Sequence, residues 1–200
     1  MDINIGTYGT DLEAAMANLM EQDVVGRIWR KDHSVWKPTA TEITNRLGWL
    51  TATDLMREQI PSLEAFAQEV RDGDLDHVVL LGMGGSSLAA EVLRKTFGSR
   101  PGYPELIVLD STVPACVLAV TKAIDPAHTL FLVSSKSGTT IEPLCLRQYF
   151  QDLVKASKGG KNTGKNFVAI TDPGTPLAEL GEEEGFRRVF LNPPDIGGRY

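Results

Sequence analysis

Seven consecutive residues, Ser134–Thr140, could bind a phosphate group. They read Ser-Ser-Lys-Ser-Gly-Thr-Thr and offer five hydroxyls, one lysine and one glycine. They lie between an apolar run and a helical pattern, so backbone N–H groups and a helix dipole would favour an anion there. The oxygens of a phosphate monoester accept bonds from several hydroxyls at once, whereas a helix cap needs only one hydroxyl. The pattern favours a phosphate-binding loop in which Lys136 adds positive charge.

A second unusual turn, Gly82–Ser87, reads Gly-Met-Gly-Gly-Ser-Ser. Glycines let the backbone approach a ligand closely. Ser87 occupies the sixth position, where a dinucleotide fingerprint has glycine or alanine, and the Gly-Lys-Ser/Thr of a Walker A motif is absent. A tight structural turn is the alternative interpretation. Because ligands of open parallel sheets bind beyond the carboxyl ends of the strands, both loops point to one crevice and to a small phosphorylated ligand.

Five short apolar runs position these loops. They are Val78–Leu81, Leu106–Leu109, Leu130–Val133, Phe167–Ile170 and Val189–Leu191. Strands buried on both faces read as unbroken apolar runs, and the spacings leave room for one crossover helix each. Helical patterns cover 87–97, 114–124 and 141–156. The sequence therefore predicts an α/β fold, with a five-stranded parallel sheet sandwiched by helices.

The first 75 residues lack strand-like runs and carry helix-start signals. Thr10-Asp-Leu-Glu13 and Thr39-Ala-Thr-Glu42 have the spacing of a capping box. Apolar residues recur at helical spacing after Thr10 and again after Pro61. We expect residues 1–75 to form a helical annex and residues 76–200 to form the sheet domain.

Composition excludes several classes of protein. In 200 residues there are 20 Lys and Arg against 26 Asp and Glu, a net charge of −6, and the basic residues are scattered, which argues against nucleic-acid binding. Cys116 and Cys145 have no partner at metal-ligand spacing, so we expect buried thiols and no metal site. No apolar run could span a bilayer and no signal peptide is apparent, so we expect no membrane partner and a cytoplasmic location.

Three stretches together resemble a known family. Gly82–Leu88, Ser135–Glu142 and Gly197–Tyr200 are similar, in order and approximate spacing, to signatures of glucose-6-phosphate isomerase and its sugar isomerase (SIS) domain. The resemblance implies a flavodoxin-like SIS domain over residues 76–200 that binds a sugar phosphate. It implies an aldose–ketose isomerase of glycolysis and gluconeogenesis that interconverts glucose 6-phosphate and fructose 6-phosphate through an enediol intermediate. It further implies a homodimer, with no metal or nicotinamide cofactor.

The resemblance also implies roles for particular residues. Three hydroxyls would hold the phosphate, with help from the main chain near Lys136: Ser135, Ser137 and Thr140. Gly85 and Ser86 would lie against the sugar. Arg199 would be the catalytic arginine, stabilising negative charge on the enediolate-like intermediate, since a guanidinium is always charged and offers a fork of donors.

Two departures from the family pattern leave alternatives open. Gly138 replaces the aromatic residue of the Ser-Lys-Thr-Phe-Thr-Thr version, and Pro143 replaces a later threonine. Because Gly138 matches the sequence pattern of SIS domains more generally, an isomerase for another phosphosugar is one alternative. A non-catalytic SIS module that senses sugar phosphates is the other.

The family's proton-transferring glutamate, with its assisting histidine and lysine, lies C-terminal to the Gly-Gly-Arg motif. These groups would fall beyond Tyr200, in a second SIS domain, so we expect an inactive fragment of a longer enzyme. Local candidates are interpreted as structural: Glu142, His33, His77 and His128. The tryptophan-rich stretch leading into Asn45–Leu50 is similar to bacterial enzymes in which this isomerase is fused behind a transaldolase.

Overall fold

The computed structural model describes residues 6–197. Within that range, residues up to Ala52 together with Asp195–Gly197 form one compact unit, and Thr53–Pro194 form the other. No helix in residues 6–197 is both long enough and apolar enough to cross a membrane.

The first unit consists of two helices and several single turns. Helix α1 spans Gly9–Glu21 and helix α2 spans Val24–Trp29. Four 3-10 turns cover Gly6–Tyr8, His33–Val35, Thr44–Arg46 and Gly48–Thr51. Its hydrophobic cluster contains the buried residues Ile43, Leu47 and Leu50, with Ile28 packed against them. The backbone N–H of Gly48 donates to the carbonyl of Asp195 at 2.8 Å, and Leu47 bridges Ile196.

Neither predicted capping box forms. Thr10 lies inside α1, because the 3-10 turn Gly6–Tyr8 runs directly into the helix and leaves no extended residue to act as a cap. Thr39 lies in a bend, and a turn rather than an α-helix follows it before Thr44–Arg46. Glu42 instead accepts a hydrogen bond from Arg46 at 2.7 Å. Both segments have the spacing of a capping box, but neither threonine is the residue at which a helix starts.

The second unit alternates helices and strands. Helix α3 spans Ala52–Asp72, strand β1 His77–Gly82, helix α4 Gly85–Phe97 and strand β2 Glu105–Leu109. Helix α5 then spans Pro114–Ala123, strand β3 Thr129–Ser134, helix α6 Ile141–Lys158 and strand β4 Phe167–Thr171. Helix α7 spans Pro176–Glu183 and strand β5 spans Arg188–Leu191. Single 3-10 turns lead into β3 and β4, at Pro126–His128 and Thr163–Asn166.

All five strands are parallel and follow the order β2-β1-β3-β4-β5. The three inner strands are the most buried, which explains their unbroken apolar sequences. The predicted fold class is therefore confirmed. The chain order reverses between β1 and β3, so the carboxyl ends of these two strands flank a topological switch point, where ligands of such sheets bind.

Helices cover both faces of the sheet. On one face, apolar side chains of α5, α6 and α7 pack on alternate residues of the strands. Phe131 lies at the centre of this cluster, stacked on Phe150 and Phe167 with ring centroids 4.9 and 5.1 Å apart. On the other face, Val70 of α3 packs against Leu130 and Val168. This two-sided burial holds the strand ends rigidly in register.

Two sequence expectations need correction in this unit. Helix α3 begins at Ala52 and continues through Pro61, although a helix start after the proline was expected. Proline removes only one backbone donor, and the amphipathic turns on both sides can continue the helix around it. Cys116 and Cys145, which were expected to be buried, are free cysteines with exposed side chains. Their helices turn other apolar residues, such as Val120 and Leu146, toward the sheet.

Candidate functional site

The two loops singled out in the sequence lie side by side. Strands β1 and β3 are hydrogen-bonded neighbours, and Gly82 at the end of β1 is in register with Ser134 at the end of β3. The glycine-rich turn therefore leaves the sheet next to the hydroxyl-rich loop. Both loops lead directly into helices, α4 and α6, whose N-termini begin at this carboxyl edge.

The turn after β1 brings backbone close to backbone. A Cβ on Gly82 would lie 3.0 Å from the carbonyl oxygen of Ser86, so only glycine fits there without a shift. Gly84 has a φ of 55°, a conformation that favours glycine. Helix α4 begins at Gly85, which is exposed, and Ser86 is half-buried. No side chain caps this N-terminus, and the N–H groups of Ser86 and Ser87 donate to the carbonyls of Met83 and Gly84, each at 3.1 Å.

Residues 135–140 form a compact loop of hydroxyls. Ser135 is buried, and its hydroxyl donates to that of Thr140 at 3.1 Å. The hydroxyls of Ser137 and Thr139 lie 2.9 Å apart, and both residues are exposed. Thr140 occupies the N-cap position of α6 yet makes no capping hydrogen bond. The hydroxyls therefore leave the first turn of α6 free to receive an anion.

Gly138 packs the hydroxyl loop against the start of α7. Its φ is 66°, and a Cβ there would lie 2.8 Å from the Thr175 Cβ and 3.0 Å from the Leu177 nitrogen. The loop therefore has no room at this position for the aromatic residue of the Ser-Lys-Thr-Phe-Thr-Thr pattern.

Lys136 is held by the end of the neighbouring strand. Its ammonium donates to the carboxylate of Asp172, which is the first residue after β4. Its backbone carbonyl accepts hydrogen bonds from the Asp172 N–H at 3.1 Å and from the Thr171 hydroxyl at 3.3 Å. Asn192 donates to the other carboxylate oxygen of Asp172 at 3.4 Å. The positive charge of Lys136 is thus compensated within the protein.

The contribution of β4 was missed in the sequence. The Thr171-Asp-Pro-Gly-Thr175 turn follows an apolar run, as the two recognised loops do, and it precedes a helix that opens with Pro176. The rule that strand ends meet at one edge could have singled it out. Its single carboxylate and two threonines resemble an ordinary turn and cap, and Thr175 does cap α7 by accepting the Ala178 N–H.

His128 and Glu142, the other candidates for an acid or base, have structural explanations. His128 is at the opposite, amino edge of the sheet, bonded to Asp125 at 3.0 Å and to Asp74 at 3.1 Å. The hydrogen bond that the His128 ring donates to Asp125, aided by the charge of Asp74, raises the pKa of His128 above its ordinary value. Glu142 lies in the first turn of α6, where its charge suits the helix dipole. The predicted catalytic Arg199 lies outside the described residues.

Two further features bear on the choice of site. A groove of about 1090 Å³ runs between α3 and α4, lined by apolar residues that include Leu93, Phe97 and Tyr103. None of its lining residues belongs to either loop. Among residues 6–197, no group of three or more histidine, cysteine and acidic side chains could hold a metal ion.

Comparison with known proteins agrees with this geometry. The family model described as phosphoglucose isomerase matches residues 51–200. A glucose-6-phosphate isomerase of Staphylococcus epidermidis is 31% identical in an alignment that covers 96% of this chain and 44% of that protein. One from Campylobacter jejuni is 34% identical over 125 residues, covering 62% of this chain and 30% of that protein.

Solved structures show the same likeness. A hypothetical protein from Thermus thermophilus superposes with a TM-score of 0.73 at 27% identity, over 96% of this chain and 43% of that one. A glucose-6-phosphate isomerase from Chlamydia trachomatis gives a TM-score of 0.63 at 26% identity, over 88% of this chain and 31% of that one. The chain thus spans less than half the length of the relatives it matches. With three quarters of its residues matched by the family model, the chain belongs to the phosphoglucose isomerase family.

Proposed function

We propose that this chain is the phosphosugar-binding part of an aldose–ketose isomerase that interconverts glucose 6-phosphate and fructose 6-phosphate. One observation carries the proposal: the hydroxyl loop 135–140 and the uncapped start of α6 adjoin the glycine turn 82–87 at a switch point of the sheet. A phosphate monoester can accept bonds from hydroxyls and helix N–H groups together. Membership of the phosphoglucose isomerase family supports the choice of sugar.

In this proposal each loop has its own task. Ser135, Ser137 and Thr140 bind the phosphate through their hydroxyls, with the main chain at Lys136 beside them. Gly85 and Ser86 contact the sugar body, where the absence of side-chain bulk at Gly85 leaves room for it. A fixed phosphate orients C1 and C2 of the open-chain sugar for proton transfer.

Arg199 then stabilises the negative charge of the enediolate as the proton moves between C1 and C2. The base for that transfer, and the groups that open the sugar ring, come from a second SIS domain outside these 200 residues. This division of labour is supported by the positions of His128 and Glu142, one at the far edge of the sheet and the other serving the dipole of α6. The isolated chain consequently binds phosphosugar weakly and does not turn it over.

The same proposal covers the cellular setting. We expect the complete enzyme to be a cytoplasmic homodimer that acts in glycolysis and gluconeogenesis without a metal or nicotinamide cofactor, with a transaldolase fused before the isomerase. Residues 1–75 serve as its helical annex and residues 76–200 as its first SIS domain.

Calorimetry with 5-phosphoarabinonate, a mimic of the enediolate, tests the proposal. We expect the chain to bind it and to show no heat with unphosphorylated arabinonate. In a coupled assay, the chain alone should not convert fructose 6-phosphate. Equal binding of both arabinonates would contradict the phosphate site, and turnover by the isolated chain would contradict the division of labour. Tighter binding of mannose 6-phosphate or an amino-sugar phosphate than of glucose 6-phosphate would reassign the substrate.

A further inference from the structure

Besides its internal hydrogen bonds, the hydroxyl loop is fixed by the end of β4. The Ser135 N–H donates to the Ile170 carbonyl at 3.0 Å, and the Lys136 carbonyl accepts from both Asp172 and Thr171. The Lys136 ammonium also binds the Asp172 carboxylate, whose side chain is only 13% exposed. Backbone and side chain of Lys136 are therefore fixed by the same two residues.

These contacts determine where one backbone donor points. In a trans peptide the carbonyl of one residue and the N–H of the next point in opposite directions, and this chain has no cis bond among its described residues. Because the Lys136 carbonyl points to the end of β4, the Ser137 N–H points away from β4. Since β3 lies between β4 and β1, that is the side of the glycine turn 82–87. No acceptor within residues 6–197 takes this N–H.

Thr171 is itself fixed. Its side chain is fully buried, and its hydroxyl lies 2.8 Å from that of Thr175, which caps α7. A buried hydroxyl pair has few alternative arrangements, so the donor to the Lys136 carbonyl cannot turn away at little cost. The end of β4 thus provides a rigid template for the loop.

Resting on the proposed function, we propose that Asp172 is a positioning residue for phosphate binding: it holds Lys136 so that the Ser137 N–H, rather than the lysine ammonium, is presented to the phosphate. Lys136 then contributes through its backbone, with its charge neutralised by Asp172. Thr171 supports the same peptide from the interior. This assignment opposes the simpler interpretation in which Lys136 is a free cation that pairs with the phosphate.

The two interpretations predict opposite signs for one substitution. Asp172→Asn keeps the backbone N–H and removes the carboxylate charge. If Asp172 positions the loop, inorganic phosphate should bind about tenfold more weakly, as expected for a lost hydrogen bond to a charged group. If Lys136 acts as a free cation, removing its competitor should make phosphate bind more tightly. Asp152→Asn, an exposed carboxylate on α6, is the control with the same change of charge.

The experiment is a titration with inorganic phosphate followed by the backbone amide resonances of the full chain. In the unchanged protein we expect the Ser137 amide to shift with phosphate, and in Asp172→Asn we expect that shift to shrink. Lys136→Met should weaken binding about as much, and the double variant no more than either single one, because the two residues act as a unit. Thr171→Val, which keeps the volume and removes the hydroxyl, should weaken binding about threefold.

Each outcome decides a different claim. If the unchanged chain binds no phosphate, the proposed function fails. If it binds phosphate but Asp172→Asn binds it equally or more tightly, the positioning role is wrong while the function stands. If Asp172→Asn does not fold, Thr171→Val and Lys136→Met decide, and unaltered binding with an unaltered Ser137 shift in both overturns the assignment.

Discussion

In the proposed phosphate site, the Ser135 hydroxyl can be tested by a single substitution. It is buried, it is tied to Thr140, and it lies next to the uncapped start of α6. Ser135→Ala should weaken binding of 5-phosphoarabinonate by about tenfold, because a hydrogen bond to a charged group is lost. Calorimetry measures the change, and Ser157→Ala serves as the control because its hydroxyl donates to Val154 at the other end of α6. Undiminished affinity in Ser135→Ala would show that the phosphate lies elsewhere.

Gly138 tests the packing of the loop on α7. Ala at this position meets both an unfavourable φ and a clash with Thr175, so Gly138→Ala should lower the free energy of unfolding by about 2–4 kcal/mol and weaken phosphosugar binding. Gly159→Ala is a matched control, since its φ is 64° but no atom lies within 4 Å of the added Cβ. It should cost about 1 kcal/mol and leave binding unchanged. Equal losses in both variants, measured by urea unfolding, would mean that the clash is relieved without consequence.

Sequence reasoning was most successful for the secondary-structure elements of the second unit. Runs such as Leu130–Val133 are buried on both faces, and this requirement is written directly into consecutive apolar residues. It was least successful where residues outside a motif decide the local structure. The capping box at Thr10 does not form because the preceding turn continues into α1. At Lys136, no local pattern reveals that its ammonium pairs with Asp172, thirty-six positions later.

His128 links two turns at the amino edge of the sheet, the one before β1 and the one before β3. Because Asp125 and then Asp74 raise its pKa in the folded state, its stabilising contribution is complete below its unfolded pKa, about 6.5. That contribution is lost as the pH rises through the higher folded value. Urea unfolding should therefore show a larger difference between the unchanged protein and His128→Gln at about pH 5.5 than at about pH 9. A pH-independent difference would contradict the ion pairs.

For the molecule as a whole, stability depends on the stacked aromatic centre of the second unit. Phe131 is fully buried between Phe150 and Phe167. Phe131→Ala should lower the free energy of unfolding by about 3–5 kcal/mol, because it leaves a cavity that the sheet cannot close. Phe97→Ala, at a side chain that is 78% exposed, should change it by less than about 0.5 kcal/mol. Similar values for the two variants in urea titrations would place the core elsewhere.

At the same scale, the chain carries a net charge of −6, so an anion is not attracted to it by overall charge. Binding must come from local donors, and the described part of the chain gathers them at the carboxyl edge of the sheet. A competing location exists at the amino edge, where His128, Lys158 and Arg187 line a polar pocket of about 360 Å³. These two edges make different predictions for where a phosphosugar binds.

A crystal structure of the chain with 5-phosphoarabinonate distinguishes them most directly. We predict that the phosphate lies at about 2.7–3.2 Å from the hydroxyls of Ser135 and Thr140 and from the first N–H groups of α6. A phosphate bound instead among His128, Lys158 and Arg187, with the 135–140 loop empty, would contradict the proposed phosphate site.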